Sequence, residues 1–149
     1  MEVREGEGWR LALDPSRAAY PVLIGATAGP AAAWAVELSL AEARALRRGI
    51  GILLEQHRSL LDQLMAEEAI ELDLEMACEG GALWCGLSGD RSLWSLSFVL
   101  TPAPGRRAVE GRWTVEASPA FAAALSMLDL PEPELAAETL APGASDQHC

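Results

Sequence analysis

Lysine is absent from this chain of 149 residues. All eleven basic residues are arginine, against twenty-two acidic ones, and the formal net charge is −11. An acidic surplus of this kind repels phosphate backbones over the general surface, so nucleic acid is not the default partner. Cysteine is scarce and odd in number. Cys78, Cys85 and Cys149 form no framework, and the six-residue gap between the first two has no matching second pair of the kind a zinc site uses. A reduced, cytoplasmic setting is the simplest expectation. No apolar run approaches the roughly 18 residues that suggest a membrane span, so no membrane partner is expected. The opening MEVREGEGW is charged and lacks the apolar stretch of a secretory signal. Tyrosine occurs once and phenylalanine twice, yet tryptophan occurs five times.

What is present reads as strands, then a helix, then strands and a helix again. Trp9–Asp14 alternates apolar and mostly polar residues, the period of a half-buried strand. Asp14-Pro15-Ser16-Arg17 has turn chemistry. Tyr20–Gly25 reads as a second strand with Pro21 at its start or at an edge, and Val3–Glu5 as a short segment pairing ahead of them. Gly25–Pro30 reads as a loop, and Trp34, Val36 and Leu38 share one face of the next strand. Ser39 with Glu42 spells a capping box. An apolar stripe from Leu46 to Met65 predicts a helix running to about Glu68, interrupted at Gly49 and Gly51 either for a bend or for close packing. Ile70–Ala77 then alternates: Ile70, Leu72, Leu74 and Met76 face one way, and Glu71, Asp73 and Glu75 the other. Leu83–Ser88, Trp94–Leu100 and Val109–Val115 are the next strands. Ser118-Pro119 reads as an N-cap followed by proline at the first helical position. The pattern predicts one α+β domain over residues 1–130, built of two antiparallel sheets, each followed by a helix that can lie across it. Residues 131–149 are rich in Pro, Ala and Glu and read as a disordered acidic tail.

No catalytic constellation emerges, and neither a cofactor nor a metal is expected. Ser88, Ser92, Ser95 and Ser97 lack a histidine and an aspartate at hand. His57 lies within an apolar helical stripe and reads as core or its rim. Gly6-Glu7-Gly8 leads into a strand rather than a helix, so it lacks the mechanism of a phosphate loop. The carboxylates Glu67, Glu68, Glu71, Asp73 and Glu75 form the densest charge cluster, but a strand sets its outward members about 7 Å apart, too far for one cation. Glu67 and Glu68 fall near the expected helix end, where the macrodipole disfavours them. Arg10 or Arg112, on the outward sets of their strands, is the expected compensation. Trp9, Trp34, Trp94 and Trp113 lie on faces that read as buried. Trp84 lies opposite Leu83, Cys85 and Leu87; it reads first as core rim and otherwise, if exposed, as the aromatic candidate for a partner contact. The candidate interaction surface is therefore Trp84, Glu71, Asp73, Glu75, Arg10 and Arg112.

Gly6-x-Gly8-Trp9-Arg10, Leu23-Ile24-Gly25, Trp34-Ala35-Val36-Glu37-Leu38, Gln63-Leu64-Met65-Ala66-Glu67-Glu68, Gly89-Asp90 and Trp94-Ser95-Leu96 run in an order that resembles a small cyanobacterial family of uncharacterised proteins, over about residues 1–130. The resemblance implies a fold similar to the Whirly and PUR-alpha single-stranded-DNA-binding transcriptional regulators, and a cyanobacterial cytoplasm. It brings no activity with it, since a fold is not a function. Whirly proteins have a lysine-containing strand motif, and this chain has no lysine. The expectation is a non-enzymatic protein-interaction or assembly module with a protein partner, self-association staying open. Single-stranded nucleic acid is disfavoured and stands as the alternative partner.

Overall fold

The structure, a computed structural model, describes residues 1–27, 33–106 and 108–131. The expected tail, apart from Pro131, and part of the expected loop ahead of Trp34 lie outside the described residues. The elements run β1 (Glu2–Gly6), β2 (Trp9–Leu13), β3 (Val22–Ala26), β4 (Trp34–Leu38), α1 (Leu40–Leu60), β5 (Ile70–Cys78), β6 (Gly81–Gly89), β7 (Trp94–Thr101), β8 (Val109–Arg112) and α2 (Ala117–Met127). Strands β1 to β4 form one antiparallel sheet in sequence order, and β5 to β8 form a second. The expected α+β architecture is present.

The helices are exchanged between the halves. Helix α1, which follows the first sheet, packs mainly on β5 and β6 of the second. Helix α2, which follows the second sheet, packs on β2 and β1 of the first, with further contacts to β7 and α1. Each helix thus covers its neighbour's sheet rather than its own, and the two halves close on one core. Gly49 explains how closely α1 sits: a Cβ there would lie 2.9 Å from Cys85 Sγ on β6. Gly51 has open space around it, so close packing accounts for the first glycine alone. Cys85 is fully buried under the helix, and burial pushes its thiol up to about 12, which leaves it protonated and unreactive.

Ser39 caps α1 as its sequence implies. Its Oγ accepts from Glu42 N at 3.1 Å, and its own N–H donates to Glu42 Oε1 at 2.8 Å. Ser39 Oγ also donates to Glu79 Oε1 at 2.6 Å, tying the helix start to the β5–β6 turn. Replacing Ser39 by alanine is expected to cost about 0.5–2 kcal/mol, read as a lower midpoint in urea. A midpoint unchanged from that of the parent would mean that the box contributes nothing.

Two helix boundaries differ from expectation. Helix α1 ends at Leu60 and passes through a 3₁₀ turn, Leu61–Gln63, into a turn before β5. The apolar stripe continues past the end, but Met65 is 76% exposed, so no surface lies beneath it to hold another helical turn. Glu67 and Glu68 are therefore well beyond the helix terminus, and the macrodipole does not reach them. Helix α2 starts earlier, at Ala117, and Ser118 lies inside it. Thr114 serves the start instead, its Oγ1 accepting from Ala117 N at 3.1 Å.

Trp113 occupies the centre. It is fully buried and stacks on Phe121 at 4.0 Å, with Trp34 at 5.0 Å and Phe98 at 5.8 Å. Its Nε1 donates to the Gly25 carbonyl on β3 at 3.0 Å, which joins the second half to the first sheet. Trp9 is buried as expected, whereas Trp34 and Trp94 are only half-buried.

Candidate functional site

The pleat of the second sheet builds its outer face in rows. Asp73, Gly86, Ser97 and Arg112 are successive register partners across the four strands, and Glu75, Trp84, Val99 and Glu110 form the adjacent row. Glu71, Ser88 and Ser95 stand on the other side of the first row. Because α1 covers the inner face, this is the face left to solvent.

Trp84 crosses the middle of it, half-buried. Its ring folds along its own strand over Gly86, where a Cβ would lie 2.5 Å from Trp84 Cη2. Its Nε1 donates to Asp73 Oδ2 at 3.3 Å. The glycine supplies the space and the carboxylate fixes the ring's direction. A hollow of about 530 Å³ opens beside the indole, between Trp34, Val99, Glu110 and Arg112. A second, of about 190 Å³, lies toward β5 against Asp73, Ser88 and Ser95. Trp84, Ser97 and Arg112 border both.

Five of the six residues singled out from the sequence share this face. Arg10 does not: it lies on β2 of the first sheet and pairs with Glu5 at 3.7 Å. The expected compensation of the acidic cluster is also not made. Among the described residues no ion pair joins Arg10 or Arg112 to Glu67, Glu68, Glu71, Asp73 or Glu75. The reason is distance: Arg112 is three strands from Asp73, roughly 14 Å of sheet. Glu68 instead accepts from Met65 N at 3.4 Å, within its own turn. Nor do the carboxylates converge, and among the described residues no group of three His, Cys, Asp or Glu side chains could hold a metal ion.

Trp34 is the site residue that the sequence does not reveal. It reaches over from β4 in the other sheet and lays its ring against Gly111, where a Cβ would meet Trp34 Cη2 at 2.5 Å and Phe98 Cε1 at 2.8 Å. Its Nε1 donates to the Arg112 carbonyl at 3.1 Å. A glycine inside the alternating segment Val109–Val115 was the available signal, since such a gap marks close approach by another group.

The other candidates are engaged elsewhere. His57 is buried, donates from Nε2 to the Asp90 carbonyl at 3.0 Å and lies 5.9 Å from the Trp94 ring. Asp90 takes the backbone N–H groups of Leu93 and Ser92, both at 2.8 Å, which hold its carboxyl below the usual range and close the β6–β7 turn. Arg44, Arg47 and Arg48 form the densest arginine cluster of the sequence; Arg47 donates to the Leu128 carbonyl at 2.8 Å and Arg44 to the Pro131 carbonyl. Two of its three cations thus hold the chain at the end of α2. Arg106 stacks on Tyr20, 5.5 Å from the ring centre, while its neighbour Arg107 lies outside the described residues. Among the described residues no helix is long and apolar enough to cross a membrane.

Residues 4–128 match the model of a family described as Domain of unknown function (DUF1818). The chain is similar to a crystal structure of a protein with unknown function from the DUF155 family of Prochlorococcus sp. NATL2A. The two are 32% identical, with 87% of this chain and 100% of that one covered and a TM-score of 0.74. Among curated proteins nothing matches.

Proposed function

The chain belongs to the family described as Domain of unknown function (DUF1818), and we propose that it is a non-enzymatic binding module that holds a protein partner on the outer face of β5–β8. The observation that carries this reading is Trp84, fixed by Gly86 and Asp73 beside a hollow of about 530 Å³. A half-exposed indole already held in place contributes apolar area without further loss of freedom on binding, which is why tryptophan anchors interfaces. A binding role is favoured over a catalytic one because His57 is turned inward, against the Asp90 carbonyl.

Affinity capture from a lysate of the source organism tests the reading, with the parent and Trp84→Ala compared. Loss of a tryptophan anchor is worth about 2 kcal/mol or more, so recovery of the partner is expected to fall at least about tenfold while the melting curve is preserved. Equal recovery by both proteins would remove Trp84 from the interface.

One observation favours a second reading. Trp84 and Arg112, which has no ion pair among the described residues, border the same hollow, and single-strand binders combine a stacking ring with a cation. A fold like that of the Whirly and PUR-alpha regulators, which the resemblance in sequence implies, would agree with this reading. Against it stand the charge of −11, the missing lysine and the two clustered arginines held by backbone carbonyls. Binding of a labelled oligonucleotide at near-physiological salt is expected no tighter than roughly 10⁻⁴–10⁻⁶ M. Sub-micromolar, sequence-preferring binding, lost in Arg112→Glu, would make this second reading the better one. A cytoplasmic setting goes with either.

A further inference from the structure

On the outer face of β5–β8 an apolar floor lies between an aromatic wall and a carboxylate. Glu75, Trp84, Val99 and Glu110 are register partners in one row, so Val99 stands between the indole and Glu110. Trp84 and Glu110 are two strand spacings apart, roughly 9–10 Å. That width takes one flat side chain laid over Val99. The hollow of about 530 Å³ is lined by these three residues, and Trp34 adds a second ring to its lining.

The charges decide what enters. Glu110 lines the hollow with its side chain exposed. Beyond the indole stand Glu75, in the same row, and Asp73, which accepts from Trp84 Nε1 at 3.3 Å. One cation, Arg112, stands against these three carboxylates. Among the described residues neither Glu110 nor Arg112 takes part in an ion pair. A cation is therefore drawn to the Glu110 side, where an anion would meet like charge.

The walls decide which cation. The guanidinium of arginine is flat, stacks on an aromatic face and still presents N–H groups to a carboxylate at its edge. Its apolar stem covers a residue such as Val99. The ammonium group of lysine is a compact, strongly hydrated charge and makes less of a flat ring. Residues 132–149 hold neither arginine nor lysine, so that segment does not supply the group.

We infer that the hollow is an arginine subsite, into which a partner protein inserts one arginine side chain, its guanidinium stacked on Trp84 and bonded to Glu110. The inference rests on the reading of this face as a protein-binding surface and names the partner group at its centre.

The full chain, labelled with ¹⁵N, is titrated with a blocked glycine–arginine–glycine tripeptide and with the same tripeptide carrying lysine, citrulline or glutamate in place of arginine. The arginine probe is expected to shift the Trp84 indole N–H signal saturably. Lysine is expected to bind at least about threefold more weakly, and citrulline and glutamate at least about tenfold. Glu110→Gln, a change to an exposed side chain, is expected to weaken the arginine probe about tenfold with the melting curve preserved. Arg112→Gln removes a like charge and is expected to tighten it about twofold. The inference is overturned if any other probe binds as tightly, if Glu110→Gln leaves the affinity unchanged, or if the arginine probe does not shift the Trp84 signal. Lysate capture that depends on Trp84 but not on Glu110 also overturns it, and leaves the binding face in place. Arginine-probe binding with capture indifferent to Trp84→Ala upholds the subsite and overturns the reading of this face as the protein interface. Self-association in the ultracentrifuge that Glu110→Gln abolishes would make a second copy the source of the arginine and overturn a separate partner.

Discussion

Trp113→Ala is expected to lower stability by about 3–5 kcal/mol, more than any other single change considered for this chain. The ring fills the space where the halves meet, against Phe121, Phe98 and Trp34, and is 1% exposed. Its removal leaves a cavity between two sheets whose strands cannot shift without breaking their ladders. It also strips the Gly25 carbonyl of its donor. The thermal midpoint should fall on the order of 10–20 °C. Trp113→Phe separates the two contributions. It keeps most of the stacking and loses the hydrogen bond, so a cost of about 1–3 kcal/mol is expected. Calorimetry on the three proteins checks both figures. A midpoint for Trp113→Ala within a degree or two of the parent would show that the halves do not depend on this ring.

Ser118→Ala is expected to cost about 1–3 kcal/mol although it removes a single oxygen. Where β8 ends at Arg112, β7 loses its neighbour on that side, and the Leu96 backbone groups that point there would be left without ladder partners. The corner leading into α2 replaces them. Trp113 N donates to the Leu96 carbonyl at 3.0 Å, and Leu96 N donates to Ser118 Oγ at 2.9 Å. Ser118 Oγ in turn donates to the Thr114 carbonyl at 2.7 Å. The site is fully buried, so no water stands ready to replace the hydroxyl. Amide exchange at Leu96 should quicken in the variant together with the loss of stability. Exchange at Leu96 unchanged from the parent would mean that this N–H does not rely on the serine.

The strands of the second sheet were legible because alternation is a local property. Glu71, Asp73 and Glu75 must face away from Leu72 and Leu74 whatever packs above them. The same rule turned Trp84 away from Leu83 and Cys85, and with Arg112 the greater part of the candidate face could be read. The capping box at Ser39 was equally local, since its donors and acceptors lie within one turn. The reading failed where the deciding partner is distant in sequence. Ser118 before Pro119 has the pattern of a cap, but the N–H it serves is on Leu96, twenty-two residues away. Arg10 has the outward phase of a site residue, but its strand belongs to the other sheet.

From the sequence alone follow the order of the elements, which face of each strand is apolar, where α1 begins and the acidic character of the surface. These depend on neighbours two to four residues apart, whose geometry is set by the backbone itself. Tertiary structure decided the rest: α1 stops at Leu60 because nothing lies beneath Met65, each helix crosses to the other half's sheet, Trp34 and Trp84 meet at one hollow, and among the described residues no arginine pairs with the carboxylates of β5. Each of these depends on which surfaces come together when the apolar faces of both halves are buried at once. The pattern of a single segment specifies that it has such a face, and the shape of the common core selects what covers it.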